Sequence, residues 1–290
     1  MIVDQEKARH FSLGRPMGAT GLRWLLLGAV IGGSLLGGAL STAGFPGVAP
    51  ARAARLSDVF PDLQVDEGSR TYDYPRAQSA ADRLFLTLRT LSGYTCRTRD
   101  FYSLRRLPAG AGSDGLHRGE SGPRPNESFD LSIRYAPFSV SVHLRHPRRG
   151  ATVVYRAADG VAEVHPFGFL PLTLSLSPRS SLISSRFGHT VDHADFLSYD
   201  RRILRPACLT HACLLLGTGK FDGRPVSIIN VAPDQLEARP VFGRMWLLLD
   251  RETSLPASVA SEGPDGQFWE RIDYQNCLVF LKKSSSPMTR

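Results

Sequence analysis

The chain has 290 residues, 42% of them hydrophobic, and 35 Lys and Arg against 27 Asp and Glu give a net charge of +8. That length suits one all-β domain or one β-rich α+β domain behind a leader. The positive excess is diffuse; it suits anionic lipid headgroups, and export of the chain excludes nucleic acid as a partner.

Lys7, Arg9, His10, Arg15 and Arg23 precede an uncharged run from Trp24 to about Ala43, and Ala51-Arg52-Ala53 fits a cleavage pattern of small residues. Residues 1–53 therefore read as a signal peptide or an N-terminal membrane anchor, since about 20 apolar residues span a bilayer. Six glycines from Gly28 to Gly44 weaken a permanent helix and favour cleavage. Either outcome places the rest of the chain in the periplasm or cell envelope. Cleavage after Ala53 leaves 237 residues (290 minus 53) with 30 Lys and Arg against 25 Asp and Glu. In that oxidising compartment Cys96, Cys208, Cys213 and Cys277 form disulfides, with three connectivities open. Proximity favours Cys208 with Cys213, leaving Cys96 with Cys277.

Residues 54–75 read as an irregular linker, with Pro61, Gly68 and Pro75. Ala77, Ala81, Leu84, Leu88 and Leu91 then repeat at helical spacing and predict a helix from Arg76 to Ser92, closed by Gly93. A strand follows from Tyr94 to Leu107. Residues 108–127 form a loop rich in Pro, Gly and Ser, containing the Asn126-Glu127-Ser128 sequon. From Phe129 to Gly150 two runs alternate strictly. Leu131, Ile133 and Tyr135 oppose Asp130, Ser132 and Arg134; Phe138, Val140, Val142 and Leu144 oppose Ser139, Ser141, His143 and Arg145. Successive strand side chains point to opposite faces, so this is a hairpin with one buried and one wet face. Thr152 to Ala158 continues it up to the Asp159-Gly160 turn. Further strands are predicted over Ala162–His165, Leu170–Leu176, Leu209–Leu216, Pro225–Val231, Val241–Asp250, Pro256–Ser261, Gln267–Gln275 and Cys277–Leu281. Pro178–Ser185 reads as a short helical turn, and a second helix starts at a Thr190 cap, with Asp192 and Asp195 in its first turn. The sum is ten or eleven strands and two or three helices: mainly β, with one large antiparallel sheet. Residues 76–283 form the domain and 284–290 a disordered tail.

YAPFSVSVHLRHPRRGATVVYRAADG resembles a segment of the bacterial family known as domain of unknown function 1571. The helix near Thr190, the Phe221-Asp222-Gly223-Arg224 turn, LLLDRETSLPASV, and the Gly266–Tyr274 strand fit the same ordered set, over roughly residues 80–281. Val226 departs from the polar or Cys residue of that pattern, so no role is carried onto it. The resemblance implies a fold similar to the outer-membrane lipoprotein carrier and receptor proteins. That fold is a curved, incompletely closed antiparallel barrel with helices on its concave side and an apolar cavity suited to acyl chains.

No segment carries a catalytic motif. His189 and His193 lie four apart near Asp192 and Asp195, yet His189 precedes the helix and cannot share a helical face with His193. Cys208, His211 and Cys213 lack a fourth ligand for a closed zinc site. His143 sits beside Ser139 and Ser141 without a nucleophile elbow, and Glu270 and Asp273 point to opposite strand faces. These residues leave a non-enzymatic protein without metal or cofactor. Its expected partner is a lipid or a lipidated protein held in an apolar pocket. Phe138, Val140, Val142, Trp246, Leu248 and Trp269 are the candidate lining. Phe167, Phe169 and Leu170, in a segment broken by Gly168 and Pro171, join Arg148 and Arg149 as candidate membrane contacts. The competing expectation is a structural or interaction module of the envelope with a filled core.

Overall fold

The computed structural model describes residues 55–102, 126–168, 171–185, 189–232, 243–263, 266 and 268–282. The leader read at 1–53, the loop over 108–125, Phe169, Leu170 and the tail at 284–290 lie outside them. Twelve strands form one antiparallel sheet. In chain order they are β1 (Gln64–Val65), β2 (Leu91–Tyr102), β3 (Glu127–Tyr135), β4 (Phe138–His146), β5 (Thr152–Arg156) and β6 (Ala162–His165). There follow β7 (Leu174–Leu176), β8 (Cys213–Phe221), β9 (Arg224–Val231), β10 (Arg244–Asp250), β11 (Pro256–Glu262) and β12 (Phe268–Leu281). Their order across the sheet is β1-β8-β9-β10-β11-β12-β2-β3-β4-β5-β6-β7. Since β1 and β7 end the order, the sheet is open, and the mainly β architecture read from the strand patterns is the one observed.

Two regimes of burial divide the sheet. In β8 to β11 both faces are apolar. Met245, Leu247 and Leu249 of β10 join one core with Leu215, Ile229 and Val231, while Trp246 and Leu248 join a second core with Phe221, Val226 and Ile228 on the opposite face. A strand covered on both sides reads as a continuous apolar run, here Met-Trp-Leu-Leu-Leu. In β3 to β6 one face is apolar and the other carries charge: Arg145 and Arg156 pair with Asp130 and Glu163 at 2.6 and 3.1 Å. These exposed pairs are screened by solvent and contribute little, so the buried face holds this half in place.

The inner face carries the helices. Helix α2 (Tyr74–Thr90) begins two residues before the predicted start at Arg76, because the Asp73 side chain accepts the Arg76 N–H at 2.9 Å and Pro75 fits the first turn. Its buried stripe is Ala77, Ala80, Ala81, Leu84 and Leu88. Gly93 does not close it; the residue lies inside β2. A Cβ there would stand 2.3 Å from the Ile133 carbonyl oxygen, so glycine permits the close approach of β2 and β3.

The second helical region is a single stretch. It comprises α3 (Phe196–Tyr199), a π-helical turn (Asp200–Leu204) and α4 (Arg205–Leu209). Its cap is Asp195, which accepts the N–H groups of Leu197 and Ser198 at 2.9 and 3.0 Å. Thr190 precedes only a short 3-10 turn, and its hydroxyl bonds Asp192 instead. Because α4 reaches Leu209, β8 starts at Cys213, four residues after the predicted start. Residues 178–185 form turns without a helix.

Two further departures matter for the site. Residues 55–75, within the stretch read as an irregular linker, contain α1 (Leu56–Val59) and β1, which pairs with β8. Val59, Phe60, Leu63 and Val65 cover the outer core, in elements too short to show a period. Residues 268–281 form one continuous strand, not two, bulged between Gln275 and Leu278 where Asn276 takes φ +48°. Cys96 is bonded to Cys277 at that bulge, and Cys208 to Cys213 across the turn from α4 to β8.

Candidate functional site

Alternation along β3, β4 and β5 places Phe129, Tyr135, Phe138, Val142, Val153 and Tyr155 on the inner face, each half-buried against the main core. The ladder sets Val142 opposite Val153, and Val140 between Ile133 and Tyr155. The helices pack on β8, β2 and β12 instead. Phe196 of α3 stacks on Tyr94 of β2 at 4.5 Å and meets Tyr274 of β12 edge-on at 4.8 Å. From Tyr94 the rings continue through Tyr135 (6.3 Å) and Phe138 (6.5 Å) to Tyr155 (6.2 Å). An aromatic path thus runs from the helix-covered part of the sheet onto the apolar face of β3, β4 and β5.

Burial pushes the phenols of Tyr94, Tyr135, Tyr199 and Tyr274 well above their ordinary range. They are neutral hydroxyls at physiological pH. Tyr94 accepts the Phe196 N–H at 3.1 Å. The Tyr199 hydroxyl and the Oε1 of Glu270 are buried without a hydrogen-bond partner among the described residues.

His189 lies 2.8 Å from the other Glu270 oxygen, holding the residues before α3 down on β12. Glu270 is buried while His189 is half-exposed, and the carboxylate's charge raises the imidazole above its usual value against an opposing effect of burial. A raised histidine value means that the stabilisation is fully present below the unfolded value, about 6.5, and is lost as pH rises through the folded one. Glu270→Gln is expected to lower the His189 titration midpoint, followed by NMR of the imidazole protons. An unchanged midpoint would show that the pair does not form in solution.

The structure separates the six predicted lining residues. Phe138, Val140 and Val142 lie on the inner face, Val140 fully buried. Trp246 and Leu248 do not: they face the outer core beneath Val59 and Phe60. Trp269 packs its indole over Gly263, away from the wall. In a strand covered on both sides, alternation gives no sign of which parity is concave. Phe167 is half-buried and near Arg148 and Arg149, because a Cβ on Gly150 would stand 2.9 Å from the Gly168 Cα; the two turns touch through their glycines.

The other predicted clusters resolve simply. Both sulfurs of the Cys208, His211 and Cys213 set are bonded to each other, and the His211 ring lies tilted against Tyr74 with centroids 4.0 Å apart. His193 and Arg179 lie 3.8 and 3.4 Å from Asp192. Glu270 faces inward to His189 and Asp273 outward to Arg271. Among the described residues no three His, Cys, Asp or Glu side chains converge as a metal set. No helix among them is long and apolar enough to cross a membrane.

A cleft of about 380 Å³ opens elsewhere, where the β8–β9 and β10–β11 turns meet the β12 bulge. It is polar. Asp222, Arg224, Asp250 and Glu252 line it beside Gln275, Asn276 and Val279. Arg224 donates to the Tyr274 carbonyl at 3.0 Å, and Gln275 to Asp222 at 2.8 Å. Sequence reasoning missed this cleft, since its residues come from three separate turns.

No family model and no curated protein matches the chain, so membership of the domain of unknown function 1571 family is not shown. Solved structures with some likeness include the Pseudomonas aeruginosa MucA/MucB complex (16% identity, TM-score 0.39), covering 70% of this chain. This chain spans only 57% of that one. Two others are the Mycobacterium tuberculosis lipoprotein LppX (11% identity, TM-score 0.39) and LprF from Mycobacterium bovis (12%, 0.41). They cover 70% and 72% of this chain and 95% of their own lengths.

Proposed function

We propose that this chain is an exported cell-envelope protein that holds a hydrophobic ligand against the inner face of β3, β4 and β5 and catalyses no reaction. The ligand is a lipid or the lipid chain of a modified partner protein. The observation that carries this reading is the apolar inner face of β3, β4 and β5, where Phe129, Phe138, Val142, Val153 and Tyr155 are half-buried around the fully buried Val140. Binding sites for apolar ligands combine such a wall with a few convergent polar groups. The Tyr199 hydroxyl and Glu270 Oε1 are suited to the polar end of the ligand. Phe167 with Arg148 and Arg149, brought near by the Gly150–Gly168 contact, is the proposed membrane-facing corner. Near an anionic surface each such charge adds about 1 kcal/mol.

The test is displacement of a fluorescent fatty acid, with lipid extraction from the purified protein. Phe138→Asp and Val142→Asp are expected to weaken binding at least tenfold, roughly 1.4 kcal/mol. Ser141→Asp, on the wet face of the same strand, is expected to leave it unchanged. If no lipid is recovered and no probe is displaced, the filled-core module is the correct reading.

A further inference from the structure

We propose that the free edge of β12, from Gln275 to Lys282, docks antiparallel on the same edge of a second copy of this chain, with the basic end of each strand over the acidic cleft of the other. On one side β12 pairs with β2 along almost its whole length; on the other β11 stops opposite Asp273. Beyond that point no strand among the described residues pairs with the β11 side. Leu278, Val279, Phe280 and Leu281 are 65%, 45%, 47% and 67% exposed, so both faces of this segment are apolar and open. Edge strands are ordinarily short, charged, bulged or covered. Here the bulge comes before the apolar run, and charge returns only at Lys282-Lys283.

The choice of a second copy follows from charge and symmetry. A two-fold axis between Leu278 and Val279 sets the second copy's Lys282 opposite Gln275, whose side chain bonds Asp222 at the mouth of the cleft. Glu252 lines the same cleft and makes no ion pair among the described residues. A self-complementary contact of this kind repeats each interaction twice and closes, giving a dimer and not a fibre. The apolar strand with a basic end that the groove calls for is β12 itself. The cavity wall proposed for lipid is not involved, so this inference stands or falls separately.

Sedimentation equilibrium of the purified protein tests it. One strand and its flanking side chains make a small contact, so a dimer with Kd of roughly 1–100 μM is expected. Leu278→Lys with Phe280→Lys is expected to give monomers with an unchanged circular dichroism melt, both positions being exposed. Lys282→Glu is expected to weaken the dimer about tenfold, and adding Glu252→Lys to restore it. A monomer at 200 μM overturns the proposal, as does a dimer indifferent to Leu278→Lys and Phe280→Lys. Slow amide exchange in a monomer at those residues of 277–281 whose N–H points away from β2 also overturns it, showing that the chain covers its own edge.

Discussion

Arg271→Ala is expected to cost about 3–5 kcal/mol of stability, the scale for removing one partner of a buried ion pair. Arg271 is only 2% exposed, and Asp273 1%. The guanidinium donates to the Val59 carbonyl at 2.9 Å and to Asp273 at 3.2 Å, and it lies 4.1 Å from the Phe101 ring centre and 5.9 Å from that of Phe60. One side chain therefore fastens α1 to the outer face and neutralises a buried carboxylate. Without it Asp273 retains the Ser258 hydroxyl at 2.7 Å and Arg99 at 3.3 Å. Burial already pushes the Asp273 carboxyl up, and Arg271 is the strongest influence holding it down. Its loss raises the folded value further. A carboxyl with a raised folded value binds protons more tightly folded than unfolded, so the variant gains stability as pH falls towards the unfolded value, about 3.9. Urea unfolding at pH 7 and pH 5 is expected to show the deficit narrowing at the lower pH. Arg271→Met with Asp273→Leu removes both charges and is expected to cost far less than Arg271→Ala. A loss below about 1 kcal/mol for Arg271→Ala would mean that the pair contributes little.

Cys96→Ala with Cys277→Ala is the second large effect. The bond spans 181 residues, whereas Cys208–Cys213 spans 5. On the chain-entropy account the long loop is worth about 5 kcal/mol and the short one about 2, with native disulfides in general measured at 2–5. A loss of about 3–5 kcal/mol lowers Tm by roughly 6–20 °C at this size. Removing Cys208–Cys213 is expected to lower it by less than half as much. Calorimetry of the two double variants decides, and the reverse ranking would reject loop closure as the cause. Amide exchange is expected to quicken first at residues 277–282, because Cys277 is fixed where the β12 ladder is interrupted.

What was readable in the residues follows from where water reaches the sheet. Phe129 to Gly150 announces its hairpin because one face is wet, so polar and apolar residues alternate. Met245 to Leu249 announces only burial: both parities are apolar, and the placement of Trp246 and Leu248 on the outer face depends on α1, more than 180 residues earlier. Asp195 is the working cap because it stands directly before the first buried aromatic, Phe196, whereas Thr190 offers the right side chain one short turn too early. His189 and Glu270 meet across 81 residues, a distance at which local patterns carry no pairing information. The β12 edge was hidden for another reason. Cys277–Leu281 reads as a good strand, and a strand's own sequence does not say how many neighbours it has.

The position of β2 bears on how the molecule is made. It is the first long strand among the described residues, and it lies in the middle of the sheet between β3 and β12. Synthesis supplies β3 next among the described strands but β12 after all the others. A growing chain can therefore finish the β2–β7 meander while the backbone groups on the far side of β2 remain unpaired. They find their partners only when β12 arrives. Loss of β12 would leave a central strand with an open side, a defect of assembly felt at the middle of the sheet.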